Sequence, residues 1–309
     1  MSEKKSRPSL ESTLKSADTE ELIDLVFYRR VGYCWALLFH KLGVVPNVVT
    51  IASIFLGVAA GVLFYFDDLI YNVIGMLLLI WANTYDSADG QLARMTGKRS
   101  DIGRALDGIA GDIWFYSIYF FICLRLHFEW SYWIWILAAI AGFCHSRQAA
   151  MADYYRNVHL FFLKGNSGSE LDNSKQQYAQ SRSLSWKGNL VSKLYHHFYG
   201  DYTAAQEQLS PKFQRFLALL CKCYGEKVPQ TLAEDFRQAS KPLMKYTNVL
   251  SFNTRVFVLF ISLFVGQPWI YFVFELTILN GLLIYTIYRH EAISNRFYLR
   301  LKKQFGCEE

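Results

Sequence analysis

Residues 44–66, VVPNVVTIASIFLGVAAGVLFYF, contain no charged side chain. About 20 mostly apolar residues suffice to cross a bilayer core as a helix, so this stretch assigns the chain to the all-α integral membrane class. Comparable runs occupy 69–85, 105–124, 130–150 and 270–288, with one more ending near Val265. Gly266, Gln267 and Pro268 interrupt the last long apolar run and predict a tight turn between two helices. Val256 to Val265 is too short to span, so the fifth helix starts near Tyr246, which places Arg255 at or inside headgroup level.

Composition agrees. Of 309 residues, 52% are hydrophobic and only 19% charged, whereas soluble domains carry about 25% charged residues. Disorder, collagen and a disulfide-stapled secreted domain are excluded. A net charge of +6 gives no case for nucleic acid as a partner, and the six cysteines have no metal-ligand spacing. His127, His145 and His159 lack a partner at ligand spacing and are assigned to packing or solvent.

These runs predict six transmembrane helices. Residues 1–20 form a mobile cytosolic tail too polar to be a signal peptide, and 21–43 an interfacial amphipathic helix. Spans one to four lie within 44–154, a cytosolic insert within 155–245, spans five and six within 246–290 and a basic tail within 291–309. In the insert, a polar stretch from Gly165 reads as loop, followed by helical patterns near 209–224 and 229–250, with Phe213, Phe216, Leu217 and Leu220 on one face. The far-side loops hold one Lys/Arg, Arg125, of the chain's 32. Positive-inside bias therefore places both termini in the cytosol, as in a bacterial inner-membrane protein.

The chemistry concentrates in Asn83 to Asp112, NTYDSADGQLARMTGKRSDIGRALDGIAGD. Asp86 and Asp89 are three residues apart on a helix, about 60° of rotation, and face one neighbour. Asp107 and Asp112 open the next helix beyond the basic loop of Lys98 and Arg99. Carboxylates converging from two helices suit a hard divalent cation, Mg²⁺ or Mn²⁺. Gly90 and Ala93 leave space for a bulky ligand at the helix backbone, and Arg94 supplies a donor fork suited to phosphate.

The spacing Asp86-x-x-Asp89-Gly90-x-x-Ala93-Arg94, eight residues, then Gly103-x-x-x-Asp107, resembles the signature of the CDP-alcohol phosphotransferases. Pro46-Asn47-x-x-Thr50, the interfacial helix and the six-span plan extend the likeness. The resemblance implies a phospholipid-synthesis transferase that moves a substituted phosphate from a CDP-linked donor to a polar or phosphorylated alcohol, releasing CMP. It implies Asp86, Asp89 and Asp107 as metal ligands, Asp86, Gly90, Ala93, Arg94 and Gly103 at the nucleotide, an active site on the cytosolic face, a membrane lipid among the substrates and a homodimer. The family's fourth aspartate, its general base, would fall at 111, where this chain has Gly111. Asp112 lies about 140° from Asp107 on a regular helix. Either a one-residue bulge swings Asp112 inward beside Asp107 as the catalytic pair, another group takes the proton, or catalysis is impaired.

Two competing readings follow from the same residues: a divalent-cation transporter, and a nucleotide or lipid binder without turnover. Arg147 and Arg255, joined by Arg156, are expected to hold a phosphate of the second substrate, such as inositol phosphate; snorkelling and pairing with a site aspartate are the alternatives for Arg255.

Overall fold

The computed structural model describes residues 16, 18–97, 101–165, 168–186, 188–225 and 227–305, without the side chains of 101, 102, 104 and 105. The tail up to residue 15, Lys98 and Arg99, and residues 306–309 lie outside the described residues. No strand occurs among those described.

The helices are α1 (Arg29–Lys41), α2 (Pro46–Leu63), α3 (Leu69–Thr96), α4 (Asp101–Trp130), α5 (Trp133–Lys164), α6 (Ser174–Ser183), α7 (Leu190–Gln208), α8 (Pro211–Tyr224), α9 (Gln230–Ser240), α10 (Met244–Val249), α11 (Phe252–Phe264), α12 (Trp269–Phe274) and α13 (Asn280–Phe305). A π-helical turn, Asp24–Tyr28, leads into α1, and another, Glu275–Leu279, joins α12 to α13. Among the described residues, four stretches are long and apolar enough to cross a membrane: Pro46–Leu63, Leu106–Trp130, Gln230–Phe264 and Trp269–Phe305. The expected second and fourth spans form the long helices α3 and α5, but polar residues (Asn72, Asn83 and Asp86; His145, Arg147 and Gln148) dilute their apolar runs.

The chain divides into two compact units. The first comprises residues 1–142 and 257–272. Here glycines let α2 pack closely: a Cβ on Gly57 would sit 2.1 Å from the Trp114 ring, one on Gly61 2.4 Å from the Ser117 hydroxyl, and one on Gly75 of α3 2.6 Å from Phe64. Small residues bring apolar helices into van der Waals contact where no hydrophobic driving force operates in lipid. Arg125 is neutralised by Asp67 and donates to the carbonyls of Phe64 (3.4 Å) and Phe66 (3.2 Å) beyond α2, where the helix dipole favours a cation. α1 joins this unit through the core of Ala36, Val49, Ala88 and Leu92.

The second unit comprises 143–256 and 273–309. Its core is aromatic: Phe162 of α5 stacks on Phe236 of α9 at 4.0 Å, and Phe216 of α8 and Phe297 of α13 lie 5.6 and 5.2 Å from Phe236. The predicted α8 face is the buried one, with Phe213, Phe216 and Leu220 inside. Glu291 accepts from the backbone N–H groups of Lys212 (2.8 Å) and Phe213 (3.1 Å), meeting the positive end of α8. Where a loop was expected after Gly165, residues 174–183 form α6, and α7 follows.

Candidate functional site

The acidic helix end is built by extending α3 beyond its apolar run. Asp68 caps its start, accepting from Ile70 N–H (2.8 Å) and Tyr71 N–H (3.3 Å). Gly97, at φ +66°, ends it in the left-handed conformation that glycine adopts without strain. Asp86, Asp89, Gly90, Ala93 and Arg94 ride on its last three turns. α4 then brings Asp107 back.

Oxygens of Asp86, Asp89 and Asp107 lie within 4.8 Å of one another. Asp89 is buried, Asp86 half-buried and Asp107 exposed. Thr50 and the Gly90 backbone neighbour the Asp89 carboxylate, but its Oδ2 is buried without a hydrogen-bond partner. Two like charges 4 Å apart repel by about 4 kcal/mol at an effective dielectric constant of 20. Three hard oxygens, one orphaned and enclosed, fit a divalent cation, which would satisfy the lone pairs and remove the repulsion.

The surrounding backbone is held tightly. Gln91 Nε2 donates to the Arg29 carbonyl at 3.0 Å, and a Cβ on Gly32 of α1 would approach the Ser87 hydroxyl to 3.0 Å. α1 is thereby seated against the α3 turn that carries Asp89. Above Gly90, the Arg94 guanidinium folds back to within 3.5 Å of where a Cβ would stand, so the cation and the carboxylates occupy neighbouring turns. Ala93 and Gly103 are half-buried on the two helices.

Other expected residues lie elsewhere. α4 is α-helical from Asp101 to Trp130 without a π segment, so no bulge turns Asp112 inward; it is exposed and outside the group of three. A Cβ added at Gly111 would meet nothing within 4 Å.

Arg255, expected to hold a substrate phosphate, has internal partners in the structure. It is 1% exposed and ion-paired with Glu275. Its Nη2 donates to Gln148 Oε1 (2.7 Å) and Leu250 O (3.1 Å), and its Nε also to Leu250 O (3.2 Å). Its Nη1 adds His145 Nδ1 at 2.9 Å. The break between α10 and α11 releases the Leu250 carbonyl for this purpose. Glu275, Gln148 and the Leu250 carbonyl thus give the buried guanidinium internal acceptors. Arg147 instead lies half-buried with its guanidinium 5.2 Å from the Phe143 ring, and Arg156 donates to Asn248 Oδ1 at 2.9 Å. Sequence reading missed Glu275 as the partner. The signal was there: one carboxylate and one arginine in otherwise uncharged residues 255–288.

Residues 43–159 match the family model described as CDP-alcohol phosphatidyltransferase. The matched segment begins before α2 and contains all three clustered aspartates. It ends inside α5. This family carries out phospholipid-synthesis transfer from a CDP-alcohol. No curated protein and no solved structure matches the chain.

Proposed function

We propose that the protein is a membrane transferase that moves a substituted phosphate from a CDP-linked lipid to a polar alcohol, with release of CMP. The observation that carries the reading is the convergence of Asp86, Asp89 and Asp107, with a buried orphan oxygen on Asp89, inside the family-matched segment. In this reading the three carboxylates hold Mg²⁺ or Mn²⁺. When bound, the cation neutralises pyrophosphate and stabilises the CMP leaving group. Arg94 adds a charged donor fork for a phosphate oxygen, and Gly90, Ala93 and Gly103 admit the nucleotide to the backbone.

Asp107, the exposed member, is the carboxylate of the cluster open to an incoming alcohol and is proposed to accept its proton. In this reading Asp112 is not given the role, because α4 runs through it as a regular α-helix and sets it about 140° from Asp107. In this reading the apolar runs give six spans, and the Lys/Arg asymmetry would put both termini and the site on the cytosolic side. A homodimer and an inositol-phosphate-like acceptor remain implied by the resemblance alone. A binder without turnover is the second reading, favoured by Gly111 in place of the expected fourth aspartate.

CMP release from vesicles containing the purified chain, a CDP-linked lipid, Mg²⁺ and a panel of alcohols tests the reading. Metal-dependent release that ceases in Asp89→Asn supports it. Nucleotide binding without release under every acceptor would establish the binder instead.

A further inference from the structure

α7 is turned inside out for a soluble helix. Its buried residues are Gly200, Thr203 and Gln206. It is joined to α6 and the residue after it by hydrogen bonds: Lys193 Nζ donates to Ser181 O (2.8 Å) and Leu184 O (2.9 Å), and His196 Nδ1 meets Gln177 Oε1 at 2.8 Å. The opposite face is apolar and exposed, with Leu190 at 48%, Val191 at 54%, Leu194 at 36% and Phe198 at 65%. At 100° per residue these four fall within one arc of about 100°. Trp186, just before α7, is 64% exposed. α6, SKQQYAQSRS, offers only Tyr178 and Ala179 as apolar residues and cannot cover such an arc.

Two further observations name what does. Gln206 Nε2 donates to the Ala150 carbonyl at 2.8 Å, and the Tyr202 hydroxyl to Asp153 Oδ2 at 3.4 Å. These contacts tie α7 to α5 where its apolar run ends, which the six-span reading puts at the level of the lipid headgroups. From Asn173 to Gly200 the sequence has no Asp or Glu but has Lys175, Arg182, Lys187 and Lys193. Such a segment complements an anionic surface, and tryptophan favours the headgroup layer.

We propose that Trp186 and the Leu190–Phe198 face of α7 lie in the headgroup layer of an anionic phospholipid bilayer, making part of the insert a second interfacial helix. The inference rests on the membrane reading of the chain and is independent of catalysis.

The test uses the full chain with its own six cysteines replaced, in nanodiscs of phosphatidylcholine with or without phosphatidylglycerol. An environment-sensitive fluorophore is placed at Leu194→Cys, at Phe198→Cys as a second site on the same face, and at Gln180→Cys on exposed α6. Blue-shifted emission and at least two-fold quenching by shallow doxyl lipids at 194 and 198, absent at 180 and stronger with phosphatidylglycerol, is the expected result. Water-like emission at both α7 sites overturns the proposal. So does a blue shift that doxyl lipids leave unquenched, because the face is then covered by protein, such as a second copy. Quenching indifferent to phosphatidylglycerol overturns its anionic part.

Discussion

Two charged clusters in this chain solve the same physical problem in opposite ways. Around Arg255 the counter-charge is internal: Glu275 pairs with the guanidinium, and Gln148 and the Leu250 carbonyl accept from it, with His145 beside them. Around Asp89 the neighbours are two more carboxylates, and a buried oxygen has no partner. A closed network of opposite charges holds helices together, whereas a buried carboxylate oxygen left without a hydrogen-bond partner among like charges marks a place for a ligand. The difference is visible only when partners are counted, because both clusters combine charged residues with apolar helices.

The contrast can be broken most forcefully at the aspartates. Asp89→Asn, Asp86→Asn and Asp107→Asn should each lower CMP release on the order of 100-fold or more, the scale on which metal sites respond to damage of their ligand environment, while the unfolding temperature stays near wild type or rises as repulsion is relieved. An Asp89→Asn protein with wild-type turnover would remove the metal assignment.

Arg255→Gln should do the reverse. Leaving Glu275 buried without its partner costs about 3–5 kcal/mol, read as a lower unfolding temperature in detergent. The protein that remains folded should keep its KM for the polar acceptor. Arg255→Met combined with Glu275→Leu should recover much of the loss, since replacing both charges with apolar groups removes the orphan. A stable Arg255→Gln protein with a several-fold higher acceptor KM would show instead that the arginine works on substrate.

The smallest effects are expected on α4. Asp112→Ala should change the rate less than ten-fold, because on the regular α4 helix it lies about 140° from Asp107. Gly111→Asp should be tolerated, as the space is open, and should raise CMP release if the chain lacks an efficient base, since 111 lies about 40° from Asp107 on the helix. A drop of 10² or more in Asp112→Ala, the effect of a lost general base, would reinstate Asp112.

Much of this was legible in the sequence. The apolar runs, the turn at Gly266 and the meeting of Asp86, Asp89 and Asp107 follow from helix periodicity and one short connection. Helix arithmetic also put Asp112 on the wrong face, and only a bulge that α4 lacks could have reversed that. The role of Arg255 was not legible: its partners come from 145, 148, 250 and 275, and their convergence is a tertiary fact. α6 and α7 escaped because a polar composition imitates a loop. Their order depends on distant contacts such as Glu207 capping Ser174, whose N–H and hydroxyl it accepts at 3.0 and 2.5 Å.

The central claim, that the three aspartates form a cation site, is tested most directly by Mn²⁺ titration of the purified chain followed by electron paramagnetic resonance. The wild type should remove free Mn²⁺ signal at a defined stoichiometry, competitively with Mg²⁺, and Asp89→Asn should lose that binding while remaining folded. Equal Mn²⁺ binding by the two proteins would contradict the claim.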